Sequence, residues 1–314
     1  MAETSLRAPA KINFGLRIVG RRADGYHLLE SVFAPIDLHD DVQLVIEPSD
    51  RTRVDIEVAL TASLPQGGGH AIPTGPGNLA YRAAETFLRA AGLTCRVRLG
   101  LVKRIPAGGG LGGGSSDAGA VLRGLSHLFP GALPPQALAD LALSLGADVP
   151  FFLDPGPALV QGVGEQIEAL AEFPPLSLLL AHPGEALPTP EVFRAWDALA
   201  PALTPSPAGS TLRALSALLA GDLADARVLA GALGELLEND LERAAVRLCP
   251  PVGRLQERLS KAGALATGMS GSGATVFGVF PDAAAAARGL EQFAPGAQEW
   301  CQLAQTVARA GVAG

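Results

Sequence analysis

The segment Pro106-Ala107-Gly108-Gly109-Gly110-Leu111-Gly112-Gly113-Gly114-Ser115-Ser116 places six glycines in seven positions, 108–110 and 112–114. Glycine costs backbone entropy on folding and gives a core no side chain, so packing does not explain the run. What the run offers is bare main chain. Successive N–H groups leading into a helix N-terminus make an anion site, and Ser115 and Ser116 add hydroxyls where that helix begins. The tail of a nucleoside triphosphate is the natural guest. A Walker loop needs Lys after its last glycine, whereas Gly114 is followed by Ser115; the dinucleotide spacing at Gly108, Gly110 and Gly113 is met by accident in so dense a run. A flexible linker is the bland alternative, but linkers rarely sit between a strand and a helix with hydroxyls at the junction.

Lysine occurs only at positions 11, 103 and 261, against 21 arginines, so an ammonium stands at each of these places where guanidinium is the habitual cation. Taken alone, Lys11 reads as a charge on the polar face of a strand, and Asp148 before Val149-Pro150 reads as a helix cap. Tyr26 and His27 behind a turn, and Phe193 on an amphipathic helix, read as ordinary packing.

These residues must be positioned by recognisable elements. Ile12, Phe14, Leu16 and Ile18 alternate with polar residues and predict a half-buried strand; Asp24-Gly25 predicts a tight turn into a returning strand that begins at Tyr26-His27. A further strand is predicted at 42–46. Asn78 caps a helix over 78–91, residues 95–105 are extended, and helices follow over 117–128 and 136–145, the latter stopped by Gly146. In the second half, strands at 177–180 and 275–280 alternate with helices such as 283–293. Gly/Pro-rich loops are expected at 65–77 and 201–210, with the division between two domains near residue 155.

At 314 residues, 48% hydrophobic and 18% charged, with mean hydropathy +0.28, the chain is long enough for two domains and unlike a disordered or nucleic-acid-binding tail. Cys95, Cys249 and Cys301 form no CxxC pair, which argues against a disulfide framework or a zinc cage and for a cytoplasmic protein. No apolar run approaches the roughly 18 residues of a membrane span. The net charge of −7 lies mostly in the second half, leaving the glycine-rich half the more tolerant of an anion.

Two more segments accompany the glycine run: Pro9-Ala10-Lys11-Ile12-Asn13 with Gly20-Arg21-Arg22-Ala23-Asp24-Gly25-Tyr26-His27, and Gly268-Met269-Ser270-Gly271-Ser272-Gly273-Ala274. Together they resemble the GHMP kinase superfamily, which includes galactokinase, homoserine kinase and mevalonate kinase, almost end to end. Leu145 to Pro150, Val163-Gly164-Glu165, His182-Pro183 and Pro188-Thr189-Pro190 are similar to one branch of it, whose acceptor is a cytidine-diphosphate sugar alcohol.

The resemblance implies an α+β, two-domain GHMP kinase fold. A ribosomal-protein-S5-like ATP-binding domain would span 1–155 and a ferredoxin-like domain 156–314, with the active site between them. It implies alcohol phosphorylation with ATP and Mg2+, a small-molecule substrate, and no nucleic acid, membrane or obligate protein partner. Asp148 would be the general base and Lys11 its partner cation. Asn78 and Lys103 would hold adenosine, residues 106–116 the phosphates, and Gly271, Ser272 and Gly273 would close over the transferring group. Tyr26, His27 and Phe193 would form a base slot, with Asn13, His182 and Thr189 as polar contacts. Ser115 or Ser116 would offer a hydroxyl to Mg2+, and Asp117 would serve the helix dipole. The alternatives are another member of the superfamily, such as a homoserine kinase, and a nucleotide-binding regulatory module without turnover.

Overall fold

The alternation at Ile12–Ile18 belongs to a far longer element. In a computed structural model, which describes residues 2–308 apart from 62–63, 65–71, 172, 200–208, 210, 212 and 216–225, strands β1 (Ala2–Arg21) and β2 (His27–Glu47) pair antiparallel from end to end. Of the loops expected at 65–77 and 201–210, residues 65–71, 201–208 and 210 lie outside the described residues. The predicted turn joins the two strands: the Gly25 amide donates to the Arg22 carbonyl at 3.0 Å, and Gly25 takes φ +93°, a conformation a side chain would strain.

The hairpin is not half-buried. Residues Ala8 to Leu16 are all buried, Lys11 and Asn13 among them, so the supposed polar face of β1 looks into protein. The second half of β2 pairs with β4 (Arg96–Lys103) and its first half with β5 (Ala158–Gly162). The sheet is completed by β3 (Arg53–Leu60), parallel to β4, and β6 (Gln166–Ala169), antiparallel to β5.

Helices α1 (Leu79–Ala90), α2 (Gly113–Leu128) and α3 (Pro135–Leu145) cover this sheet, with Phe87, Leu122 and Leu125 packed on Leu44, Val97 and Leu99. Asn78 caps α1 and Gly146 ends α3, as their sequences predict. Helix α2 begins at Gly113 rather than 117. Gly112, at φ +72°, turns the chain directly into the helix, so the last glycines and both serines form its first turn.

A second, four-stranded antiparallel sheet has the order β10-β7-β9-β8, from β7 (Ser177–His182), β8 (Ala266–Met269), β9 (Val276–Phe280) and β10 (Trp300–Gln305). Around it lie α4 (Thr189–Leu199), α5 (Ala226–Leu236), α6 (Glu242–Leu248), α7 (Pro251–Lys261) and α8 (Ala283–Phe293). Because β5 and β6 extend the first sheet to Ala169, the change of sheet falls between 169 and 177, later than the expected division at 155.

A third core joins the two sheets. Ile12, Phe14, Val32 and Ile36 of the hairpin pack against Leu178, Leu180 and Phe277, with Phe14 edge-on to Phe277 at 5.7 Å. The same two strands therefore serve the interiors of both halves.

Glycine plays opposite parts in two helices. At Gly119 of α2 an added Cβ would lie 2.5 Å from Phe152 Cβ and 2.8 Å from its carbonyl oxygen, whereas at Gly231 of α5 it would meet nothing within 4 Å. Gly119→Ala is expected to destabilise the protein by about 1–3 kcal/mol through overpacking, and Gly231→Ala to stabilise it by about 0.5–1 kcal/mol by restricting the unfolded chain. Denaturant unfolding of the two variants measures both signs.

Candidate functional site

The glycine run, the hairpin and Gly271-Ser272 line a cavity of about 1110 Å3, more than the usual space for one drug-sized ligand. Gly108, Gly110 and Gly112 adopt φ of +66°, +76° and +72°. A Cβ on Gly110 would come within 2.1 Å of the Ser270 carbonyl oxygen, so the loop is seated against the 268–274 segment at backbone distance. Three successive carbonyls point back into the protein. Gly109 accepts from the Thr275 amide at 3.1 Å, Gly110 from the Ser270 hydroxyl at 2.9 Å, and Leu111 from the Lys11 amide at 3.0 Å. With its acceptors spent behind it, the loop has main-chain N–H groups to offer an anion in the cavity.

Beside the loop stands Lys11, 3% exposed. Its Nζ donates to Asn13 Oδ1 at 2.6 Å, lies 4.6 Å from the centre of the Phe33 ring, and is 3.6 Å from Asp148 Oδ2. Burial pulls the Lys11 pKa below its ordinary value, with Asp148 opposing. Asn13 is held in turn by donating to Ser31 Oγ at 2.9 Å, so its side chain orients the lysine rather than standing free in the cavity. Asp148, with its side chain 34% exposed, is the open member of the pair. The turn that carries it rests on Gly164, where a Cβ would lie 2.5 Å from the Ala147 carbonyl oxygen; this accounts for the Val163-Gly164-Glu165 signature. A carboxylate facing solvent and an ammonium pinned in the wall suit proton removal and charge stabilisation at an oxygen placed between them.

Most of the expected residues converge here. Lys11, Asn13, Tyr26, His27, Asn78, Lys103, Pro106 to Ser115, Asp148, Thr189, Phe193, Gly271 and Ser272 all line the cavity. Several have other tasks, however. Asn78 Oδ1 accepts from the Ala80 amide at 2.9 Å, and its Nδ2 donates to the Pro73 carbonyl at 2.8 Å, so capping α1 occupies both ends of the amide. Lys103 is buried and donates to both Asp40 and Asp117, while Asp40 Oδ1 receives the Arg104 and Ile105 amides at 2.5 and 2.9 Å. That cluster anchors the start of the glycine loop instead of leaving Lys103 free for adenosine. Asp117 is therefore a buried ion-pair partner, not an exposed dipole partner, and burial raises its pKa above the usual carboxylate range against the pull of Lys103.

Three expected contacts lie outside the cavity. Ser116 is fully buried and donates to the Pro9 carbonyl at 2.7 Å, which removes its hydroxyl from consideration as a ligand; Ser115 stays on the cavity wall. His182 is buried behind Gly109, accepts the Gly184 amide on Nδ1 at 3.0 Å, and is driven by burial to a pKa of about 4. It lies outside the cavity lining, packed behind Gly109, with its Nε2 unpartnered among the described residues. Gly273 faces Met269 and Leu187.

Several contributors escaped the sequence reading. Phe33, Ser31 and Ser270 complete the setting of Lys11 and Asn13, and Ser270 Oγ reaches Asn13 Oδ1 at 3.4 Å. Asn239 donates to the carbonyls of Met269 and Gly271, both at 2.9 Å, and so fixes the turn opposite the glycine loop. At the other end of the cavity the His27 ring stacks on Phe193 at 4.9 Å and 21°, meets Trp196 edge-on at 5.3 Å, and pairs through Nε2 with Asp197 at 2.9 Å. Tyr26 beside it is 64% exposed. Thr189 and Ser272 share a hydroxyl contact of 2.8 Å between the two ends.

The GHMP kinases N terminal domain family matches residues 78–156, and the GHMP kinases C terminal family matches residues 214–296. A 4-diphosphocytidyl-2-C-methyl-D-erythritol kinase of Citrifermentans bemidjiense is 37% identical over 94% of this chain and 95% of its own, and one of Granulibacter bethesdensis is 41% identical over 94% and 91%. The crystal structure of a 4-(cytidine 5'-diphospho)-2C-methyl-D-erythritol kinase superposes with a TM-score of 0.72 at 37% identity, covering 97% of this chain and all of that one. A homoserine kinase from Cytophaga hutchinsonii, at 19% identity and TM-score 0.70, shares the fold. With both terminal families matched in order and full-length relatives well above 30% identity, the chain is a kinase of the GHMP superfamily and belongs to the 4-diphosphocytidyl-2-C-methyl-D-erythritol kinase family.

Proposed function

We propose that the protein phosphorylates the 2-hydroxyl of 4-diphosphocytidyl-2-C-methyl-D-erythritol with ATP, releasing the 2-phosphate and ADP, within the non-mevalonate route to isoprenoid precursors. The observation that carries this reading is the single cavity with a phosphate cradle at one end, an aromatic cluster of Tyr26, His27 and Phe193 at the other, and Lys11 with Asp148 along its wall. A homoserine kinase would have no use for the aromatic end, and a regulatory module no use for the carboxylate and ammonium.

In this reading the glycine amides hold the triphosphate, and Asp148 accepts the proton of the acceptor hydroxyl. That oxygen forms its bond to the γ-phosphorus as the bond to the β-bridging oxygen breaks. Lys11 stabilises the charge on the transferring group from a site with little water, where a fixed cation acts most strongly. Mg2+ bound to the nucleotide would neutralise phosphate charge. Among the described residues no cluster of three His, Cys, Asp or Glu side chains is placed to hold a metal; Ser115, on the cavity wall, would offer Mg2+ a hydroxyl beside the oxygens of the nucleotide itself. Cys95 and Cys249 are buried and none of the three cysteines is paired, which fits a reducing, cytoplasmic setting.

Asp148→Asn and Lys11→Ala are each expected to lower kcat by about 10²–10⁴-fold with the KM for ATP nearly unchanged. ADP release with the cytidine-diphosphate methylerythritol acceptor, set against homoserine, mevalonate and galactose, tests both the roles and the substrate. Turnover with homoserine alone would replace the reading.

The two serines separate the cradle from its support. Ser115→Ala should raise the KM for ATP with little change in unfolding free energy. Ser116→Ala should leave that KM unaltered and cost about 1–3 kcal/mol, because the buried Pro9 carbonyl loses its donor. Steady-state kinetics and urea unfolding of the pair provide the comparison.

A further inference from the structure

The base slot contains a carboxylate that neither the motifs nor the transfer step requires. Asp197, in the last turn of α4, lies 2.9 Å from His27 Nε2 and 3.4 Å from Arg21 Nη2. A carboxylate only accepts, so Nε2 carries the proton; in the neutral ring Nδ1 is then an acceptor. Phe193 against one face and Trp196 at the edge hold the ring in this orientation, and no described residue donates to Nδ1. His27, Asp197, Tyr26 and Phe193 all line the same end of the cavity.

We infer that Asp197 is a positioning residue that makes His27 a hydrogen-bond acceptor and thereby selects an acceptor substrate whose base carries an exocyclic amine over one with a carbonyl at the same place. The inference rests on the cytidine reading above and deepens it. Cytosine presents an amine at its C4 where uracil presents an oxygen. An Nδ1 lone pair attracts the first and repels the second, and a site built around one buried acceptor penalises the wrong partner twice, by lost attraction and by an unpaired group. Asp197 touches no substrate in this scheme. It acts by fixing the tautomer and the angle of the ring, as carboxylates do for histidines that ligate metals.

The test compares the cytidine acceptor with its uridine counterpart in the wild type, Asp197→Leu and Arg21→Ala. The wild type should favour cytidine by at least about 10²-fold in kcat/KM. In Asp197→Leu that preference should fall about tenfold or more, chiefly through a higher KM for the cytidine acceptor, with kcat changed by less than about threefold. Arg21→Ala removes the other partner of Asp197 and should keep the preference. The 15N shifts of the His27 ring should show a single tautomer protonated on Nε2 in the wild type. The inference is overturned if Asp197→Leu retains the full preference, if Arg21→Ala loses it equally, or if the wild-type ring is protonated on Nδ1. A wild type with no preference at all would instead sink the cytidine reading itself.

Discussion

Everything at the centre of this enzyme answers to the cost of keeping one ammonium almost out of water. A buried cation is tolerated only if its donors are met and a counter-charge is near. Lys11 obtains this from three directions: Asn13 two residues along the same strand, the Phe33 ring on the neighbouring strand, and Asp148 from the turn that follows α3. Removing any of these would leave the charge short of a partner. The requirement also explains why the counter-charge is loosely held at 3.6 Å: Asn13 supplies the short contact, so the carboxylate remains available for a proton.

The second constraint is steric. The glycine loop and the 268–274 segment approach at backbone distance, with Gly110 against the Ser270 and Gly273 carbonyls, and Gly109 is closed off by the side chains of Thr275 and His182. Glycine is therefore required on the protein side of the loop as much as on the ligand side. His182, Ser116, Lys103 and Asn78 support the cradle: His182 accepts the Gly184 amide, Ser116 and Asn78 donate to the Pro9 and Pro73 carbonyls, and Lys103 pairs with Asp40 and Asp117. This division of labour places the residues that touch ligands on the rim and invests the charged and hydroxyl groups beneath them in holding main chain.

Local patterns disclosed much of this. The hairpin turn at Asp24-Gly25, the Asn78 cap and the Gly146 stop all depend on residues close in sequence, and each is found where its chemistry predicts, while the glycine loop runs into a helix four residues earlier than expected. What was illegible depended on distant pairing. Alternation in β1 suggested a wet face, yet Lys11 and Asn13 are buried because β2, the glycine loop and Ser270 cover them. Ser116 and Ser115 are neighbours of identical type, and only the position of Pro9 107 residues away separates their roles. Asp197 lies 170 residues from His27 and forms no motif with it.

The shared hairpin has an architectural consequence. Because β1 and β2 supply apolar side chains to the helix-covered core and to the core under the second sheet, the described residues of the two halves are joined through one shared pair of strands. The span from cradle to base slot is set by continuous strand, like the fixed jaw of a spanner. Adaptation to a new acceptor would thus act at the hairpin tip and the facing helix, where side chains are exposed, while the nucleotide end kept its shape. Donor and acceptor choice are separable by location along one shared hairpin, without being housed in separable modules.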